Sequence, residues 1–559
     1  MPDVRENKTA AAAAETRAAP LDFQDHLANL ERAGLLVRID TPVDKDSEIH
    51  PLVRWQFIGG VPEAERKAFL FTNVVDATGK RYDMPVAVGG LSANAEIYAK
   101  GMGRSVEDIG KAWLEAIANP IPPVRVNEGR CQEVVLTGEA LTKPDGGLAT
   151  LPVPISTPGF DCAPYLTATL CVTKDPDSGI QNMGTYRACL RASDRLAMMI
   201  GSTGGGQGGF RHWQKYRSRG EPMPIAIVIG AAPVVVFTGP QKLDVDMDEL
   251  GVAGALAGQP IRVVRARTVD LDVPADAEVV IEGLVDTTRQ EPEGPFGESH
   301  GHIALETFNL PIKVTAVTHK KKAVFTSILS QVTPSESSAI KKVAYEPLFL
   351  SYIRNTLGVR SLQRVVMHEP LTNLRPVIFL QFSQDANNSE IWRALNGAAN
   401  LERQCGKIVI AVSTDVDPSN LDGVFWSMAY RCNMLEDIHI LPHRIAGRMG
   451  QGKQDASLLI DATQKRPLPP LALPGKEYME RARALWEKLG LHPLTVRPPW
   501  HGYDLGAWTE AWERYAQAAA VGRWQENGKE TLARQRDGIR PQTPVNAVEG
   551  GPKLPDVSE

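Results

Sequence analysis

Between Cys131 and Ser330 the chain runs through short β-branched segments: EVVLTG, YLTATLCVT, MPIAIVIG, APVVVFTG, PIRVVRARTVDLDVP, AEVVIEGLV and LPIKVTAVTHKKKAVFTSIL. Turn residues separate them, and runs of this kind predict an antiparallel barrel or sandwich. A helix-like stretch at 193–200 and a glycine-rich loop at 201–209 interrupt the series. Upstream the pattern is helical: LDFQDHLANLERA (21–33) has apolar residues at helix spacing, Gly34 closes it and LLVRID follows as a strand. DIGKAWLEAIAN (108–119) repeats the helix pattern and stops at Pro120. From about residue 337 helices and strands alternate: SAIKKVAYEPLFLSYIRNTL, then LQRVVMHEP, VIFLQFSQ, SEIWRALNGAANLERQ, KIVIAVSTDVD and LDGVFWSMAYRC. That alternation argues for a parallel sheet with helices on its faces.

The expected organisation is a disordered tail at 1–20, an N-terminal α/β domain at 21–126 and a central β-barrel at 127–330. A C-terminal α/β domain at 331–475 follows, then a helical extension at 476–537 suited to a subunit interface, and a disordered tail at 538–559. The 559 residues exceed what one core organises, which agrees with several domains. A net charge of −5 gives no reason to expect a nucleic-acid or anionic-membrane partner. Cys131, Cys162, Cys171, Cys189, Cys405 and Cys432 are scattered without a Cys-x-x-Cys pair and read as reduced residues of a cytoplasmic protein. No uninterrupted apolar window is long enough to span a membrane.

Glu291-Pro292-Glu293-Gly294-Pro295-Phe296-Gly297-Glu298-Ser299-His300 cannot be helical, because Pro295 lacks an N–H and Gly294 and Gly297 permit positive φ. A turn here can fold Glu293 and Glu298 toward one site, one to hold a cation and the other to move a proton; alone, the segment also reads as a solvated acidic loop. Gly204, Gly206 and Gly209 match G-x-G-x-x-G, but a helix-like segment precedes them in an all-β region, so a ligand-covering loop is expected rather than a dinucleotide turn. His300 and His302 could bind metal or be ordinary imidazoles. His319-Lys320-Lys321-Lys322 reads as a phosphate or coenzyme A patch, or as a solvated hairpin turn. Asn182 and Arg187 on one strand could meet a metal-bridged phosphate and a carboxylate, or face solvent. Glu249, after Asp248, is an oxygen ligand suited to a hard cation, or an ordinary acidic helix start.

Taken in order, N-x-G-x-Y-R (182–187), D-E-L-G-V-A-G-A-L from Asp248, D-L-x-V-P-A-x-A-E-x-V-I-E-G (270–283), E-G-P-F-G-E (293–298) and I-D-A-T (460–463) resemble the UbiD family of prenylated-FMN-dependent decarboxylases over about residues 21–470. The resemblance implies an α/β multi-domain fold: an N-terminal α/β domain, a central flavin-reductase-like split β-barrel and a C-terminal α/β domain with a parallel sheet. It implies a carboxy-lyase that removes CO₂, reversibly in principle, from an aromatic or α,β-unsaturated acid through covalent bonding to prenylated FMN, supplied by a flavin prenyltransferase. Arg187, Glu293 and Glu298 match the catalytic Glu–Arg–Glu network, with Glu293 orienting Arg187 and Glu298 delivering a proton. Asn182, Tyr186, Arg187 and Glu249 fall at cofactor-binding positions, and Asn182 and Glu249 match ligands of a divalent metal (Mn²⁺, Fe²⁺ or Mg²⁺) accompanied by K⁺. Members often carry a further metal-ligand His near the positions of Thr203–Gly205; the nearest candidate is His212, displaced by the glycine loop. A homo-oligomer is implied. The substrate readings are an aryl-CoA carboxylate such as phthaloyl-CoA, a free aromatic or heteroaromatic acid, or a polyprenyl hydroxybenzoate of quinone biosynthesis. From other classes, a flavin-binding redox protein on the same barrel would not need the paired carboxylates, and a metal-dependent hydrolase would act without flavin.

Overall fold

The β-branched runs assemble into a ten-stranded antiparallel sheet in the computed structural model. The structure describes residues 18–200, 208–241, 243, 247–297, 301–304, 308–402, 405–445, 454–466, 471–494 and 510–533. Along the sheet lie Gln181–Gly184, Leu170–Lys174, Met223–Ile229, Val279–Val285, Phe308–His319, Arg195–Met198, Ala188–Ala192 and Tyr165–Leu166. At its centre Ile227 faces Ile281 and Ile281 faces Val317, so β-branched side chains meet across neighbouring strands and are buried. The chain divides into two compact units, 1–349 with 367–376, and 350–366 with 377–559.

Three segments depart from the sequence expectation. APVVVFTG is not a strand: Pro233–Thr238 is a helix with Pro at its first turn, every residue of it is buried, and Phe237 stacks on Tyr98 at 3.8 Å. Packing on all sides overrides the weak helix preference of its valines. The helix-like stretch 193–200 contains the strand Arg195–Met198, whose Leu196 lies opposite Ile312, because two partner strands are available to so short an apolar run. PIRVVRARTVDLDVP leaves the large sheet and forms a small one, in which Arg262–Arg265 pairs in parallel with Val124–Arg125 and antiparallel with Asp272–Pro274.

The first unit also carries an α/β layer. Leu36–Ile39 runs parallel to Ala68–Phe71, which pairs antiparallel with Val86–Val88, and Phe325–Ser327 completes the sheet. The helix Phe23–Arg32 starts where the Asp22 side chain accepts the Gln24 N–H at 2.7 Å, and it buries Phe23, Leu27 and Leu30. Lys320, read above within a solvated turn, is instead fully buried, donating to Asp22 Oδ2 at 2.6 Å and to Glu278 Oε1 at 2.8 Å. Glu278 thus gives the 270–283 motif a structural role, tying the turn at 319–322 to the helix start.

Two histidines of this layer make its stability pH-dependent. His26 Nε2 donates to the Gly90 carbonyl at 2.7 Å, and His50 Nε2 lies 2.9 Å from Ser327 Oγ. Burial holds both rings neutral, lowering His26 to about 4 and His50 to about 3 from the ordinary 6.5. The unfolded chain takes up these protons as pH falls below 6.5, whereas the folded chain refuses them until near pH 4. Their stabilisation is therefore full above pH 6.5 and fades on acidification, by about 1.4 kcal/mol per pH unit for each ring. Urea titrations of the wild type at pH 7 and pH 5 should show this slope, and His50→Asn should flatten it; an unchanged slope refutes the assignment.

In the second unit the strand order is Leu362–Met367, Val377–Phe382, Ile408–Ser413, Gln454–Asp461, Ile438–Ile445. Val377–Phe382, Ile408–Ser413 and Gln454–Asp461 are parallel, and Ile438–Ile445 adds an antiparallel edge. The helix Asn388–Leu401 is capped by the Asn387 side chain and buries Ile391, Leu395 and Ala398. Asp461 of the I-D-A-T motif ends a strand and accepts the Thr463 N–H and hydroxyl at 2.9 and 2.6 Å, a turn-forming role. The helices Lys476–Lys488 and Trp524–Ala533 bury no residue, and Leu485, Leu489 and Trp524 are more than half exposed.

Candidate active site

The acidic turn and the 182–187 segment meet within the first unit. Glu293 follows the strand Glu291–Pro292 and precedes Phe296–Gly297, and Gly294 between them adopts φ +83, the left-handed region that an L side chain rarely tolerates. A Cβ on Gly294 would also lie 2.7 Å from Cys162 Sγ. Glu293 is fully buried, and Arg187 grips it with both arms of the guanidinium, Nε to Oε1 at 2.6 Å and Nη2 to Oε2 at 2.7 Å. The pair is bidentate and charge-assisted, which fixes the plane of Arg187.

Further residues hold this arrangement, most of them outside the motifs read from the sequence. The Phe296 ring lies 5.0 Å from the Arg187 guanidinium and packs at 3.9 Å on the buried Tyr165 ring, so Arg187 has an aromatic face against it as well as a carboxylate. Arg191 donates to Glu291 Oε1 at 3.0 Å and to the carbonyls of Pro292 and Glu293 at 2.6 and 2.8 Å, tying the turn to the sheet. Asp161 accepts the Thr157 N–H at 2.6 Å and the Gly297 N–H at 3.3 Å; burial pushes its carboxyl up. Gly297 is the residue immediately before Glu298. Glu298 and His300 lie outside the described residues, as does most of the glycine loop, and His302 is exposed. A strand, Arg195–Met198, precedes that loop and the helix Gly208–Arg219 follows it, but the strand is antiparallel to both neighbours, so this is not a dinucleotide-binding unit.

Beside Arg187 in the sequence lies Tyr186, which with Asn182, His212 and Glu249 shares a corner of the same unit. Asn182 lies opposite Thr173 in the sheet, and His212 Nδ1 is 2.9 Å from Thr173 Oγ1. Gly208 packs directly on the Asn182 side-chain amide, and a Cβ there would displace it. Tyr186 Oη accepts the Gly209 N–H at 3.4 Å, and burial pushes its phenol up to about 12. Glu249, at the start of the helix Glu249–Ala257, accepts the Met183 N–H at 3.1 Å.

The corner suits a cation and an anion held together. Burial raises Glu249 to about 7, and among the described residues no cationic side chain forms an ion pair with it. Burial lowers His212 to about 4, so its imidazole is neutral and, with Nδ1 engaged by Thr173, keeps Nε2 as the remaining ring nitrogen. Asn182 Nδ2 is buried without a partner among the described residues and could donate to a phosphate oxygen. An amide oxygen, a carboxylate and an imidazole form a donor set for a hard or borderline divalent ion. The residues present therefore fit a metal-tethered phosphate.

Known proteins resemble this chain along most of its length. The sequence matches the 3-octaprenyl-4-hydroxybenzoate carboxy-lyase N-terminal domain over residues 27–117, its Rift-related domain over 123–332 and its C-terminal domain over 340–462. An uncharacterised protein of Synechocystis sp. is 27% identical over 535 residues, spanning 87% of this chain and 99% of its own. An evolved dimeric form of the UbiD-class enzyme HmfF from Pelotomaculum thermopropionicum, solved in complex with prFMN, is 27% identical with a TM-score of 0.71, covering 83% of this chain and all (100%) of that one. The 3,4-dihydroxybenzoic acid decarboxylase of Enterobacter cloacae shares the fold at 23% identity and a TM-score of 0.69, over 86% of this chain and 98% of that one.

Proposed function

Because the chain belongs to the UbiD family of prenylated-FMN-dependent decarboxylases and is a carboxy-lyase of aromatic acids, we propose that the Arg187–Glu293 pair and Glu298 form its catalytic centre. The observation that carries this is the bidentate grip of Arg187 on a fully buried Glu293; Gly297, four positions further on, immediately precedes Glu298 in the sequence. Loss of CO₂ from an sp² carbon needs an electron sink, and prenylated FMN, when bound, supplies it. Arg187 presents guanidinium donors to the substrate carboxylate and to the flavin. Glu293 fixes Arg187 in that pose. Glu298 delivers a proton to the carbon that CO₂ leaves.

Asn182, Tyr186, Arg187 and Glu249 would hold the cofactor, and Asn182, Glu249 and His212 the divalent cation (Mn²⁺, Fe²⁺ or Mg²⁺) at its phosphate, with K⁺ alongside. The neutral imidazole of His212 and its anchor on Thr173 support its recruitment in spite of the displaced position. The exposed apolar residues of Lys476–Lys488 and Trp524–Ala533 support a homo-oligomer, and an evolved form of one relative is dimeric. Among the described residues no helix is long and apolar enough to cross a membrane.

The test is CO₂ release by protein co-expressed with a flavin prenyltransferase, across a panel containing free benzoic, catecholic and heteroaromatic acids, a polyprenyl hydroxybenzoate and phthaloyl-CoA. The dihydroxybenzoate activity named for one solved relative makes catecholic acids the first choice. Turnover without flavin, or none with any acid, would overturn the proposal. Phe296→Leu removes a cation–π contact worth about 1–2 kcal/mol and should lower kcat/KM about tenfold, with Phe296→Tyr restoring it. An unchanged Phe296→Leu rate would exclude the ring from positioning Arg187.

A further inference from the structure

A cavity of about 900 Å³ opens in the first unit between the helix Phe23–Arg32, the segment 80–85 and the turn 319–324. None of Asn182, Arg187, His212, Glu249 or Glu293 lines it. Its floor is apolar, with Leu27, Leu36, Leu70 and Met84 contributing. Its lining carries Arg38, Lys80, Arg81, Lys321 and Lys322 against Glu31, Asp83 and Asp145. Arg38 is neutralised by Glu31 at 3.2 Å, which leaves four cations facing two carboxylates. Lys322 forms no ion pair among the described residues.

The walls are already in place. Buried Lys320 ties the turn to Asp22 and Glu278, while Gln24 Nε2 donates to the Lys322 carbonyl at 2.8 Å and to Glu278 Oε2 at 2.7 Å. Across the cavity Lys80 Nζ donates to the Ala149 carbonyl at 2.6 Å and lies 4.8 Å from the Tyr82 ring. A preformed concavity with an apolar floor and a few fixed charges is the usual form of a small-molecule site. We propose that this cavity binds a small amphipathic organic anion, a ring or short acyl body resting on Leu27 and Leu70 and a carboxylate, sulfonate or phosphate head held by Lys321, Lys322 and Arg81. The site is separate from the decarboxylation machinery, and its ligand is an effector or a carrier group rather than the reacting acid.

Calorimetric titration of the full-length, flavin-loaded protein with anilinonaphthalene sulfonate tests this. A saturable site is expected whose affinity falls about tenfold in the Lys321→Glu/Lys322→Glu double variant, as loss of two attractive charges predicts. A similar fall is expected in Ala28→Trp, where the exposed helix residue Ala28 lines the cavity and an indole would fill it. Melting temperature and CO₂ release should be unchanged in both variants, which separates this inference from the catalytic one. Displacement of the probe by benzoate or by inorganic phosphate supports the site and distinguishes a carboxylate from a phosphate head. No saturable binding, or binding of equal affinity in wild type and both variants, would overturn the proposal.

Discussion

Arg187→Ala and Glu293→Gln are each expected to lower decarboxylation by about a hundredfold to a thousandfold, the cost of losing a fixed donor aimed at developing charge. The two losses should not add. The Arg187 guanidinium is fixed by two bonds of 2.6 and 2.7 Å to one carboxylate, so disturbing Glu293 already spoils the pose that Arg187 supplies. A double variant no slower than the worse single one is the expected result, and additive losses would mean independent roles. Removing one member of a buried pair also leaves an uncompensated charge, at about 3–5 kcal/mol, so melting temperature and flavin content must be read beside the rate. Glu293→Gln keeps the shape and one acceptor, which makes it the cleaner variant. Glu298→Gln provides the companion measurement: it should abolish both CO₂ release and proton exchange at the reacting carbon while flavin still binds. Turnover within a few-fold of wild type in that variant would remove Glu298 from the mechanism.

How far the sequence revealed this site follows from which contacts are local. The turn at 293–297 was legible because Gly294 and Pro295 leave no other backbone, and Gly294 does take a positive φ. The pairing of Glu293 with Arg187 crosses 106 positions, and no spacing encodes it; only the ordered resemblance of several motifs brought the two together. Arg191 and Asp161 were invisible for the same reason, since their partners at 291–293 and 297 become neighbours only when distant parts of the chain close on the turn. The three-part architecture was readable from the change in periodicity near 131 and 337. Single elements failed where tertiary packing outweighed local preference. The valines of Pro233–Thr238 became a helix because the segment is buried throughout, and Lys320 left solvent because two carboxylates received it.

Glu249→Gln should move stability and metal binding in opposite directions, which a purely structural carboxylate would not do. Burial raises the Glu249 carboxyl to about 7, against partial compensation from its own backbone N–H and from the Met183 N–H at 3.1 Å. A desolvated carboxylate without a cation is a cost to the metal-free fold, on the order of 1–3 kcal/mol for a group of this burial. Glutamine keeps the carbonyl acceptor for Met183 and removes the charge, so EDTA-treated Glu249→Gln should unfold at higher urea than EDTA-treated wild type. The same change deletes the anionic oxygen that a divalent ion requires beside Asn182 and His212. Metal content by mass spectrometry should then fall about tenfold or more, and with it the flavin retained through gel filtration, because the phosphate loses its tether. His212→Ala should lower metal content in the same sense without stabilising the metal-free protein, since a neutral imidazole bonded to Thr173 carries no such cost. Equal metal content in wild type and Glu249→Gln, or a metal-free variant no more stable than its parent, would show that Glu249 serves the helix start alone. The opposed signs are the discriminating result: a residue retained for the fold destabilises when replaced, whereas one retained for a bound cation destabilises only once the cation is present.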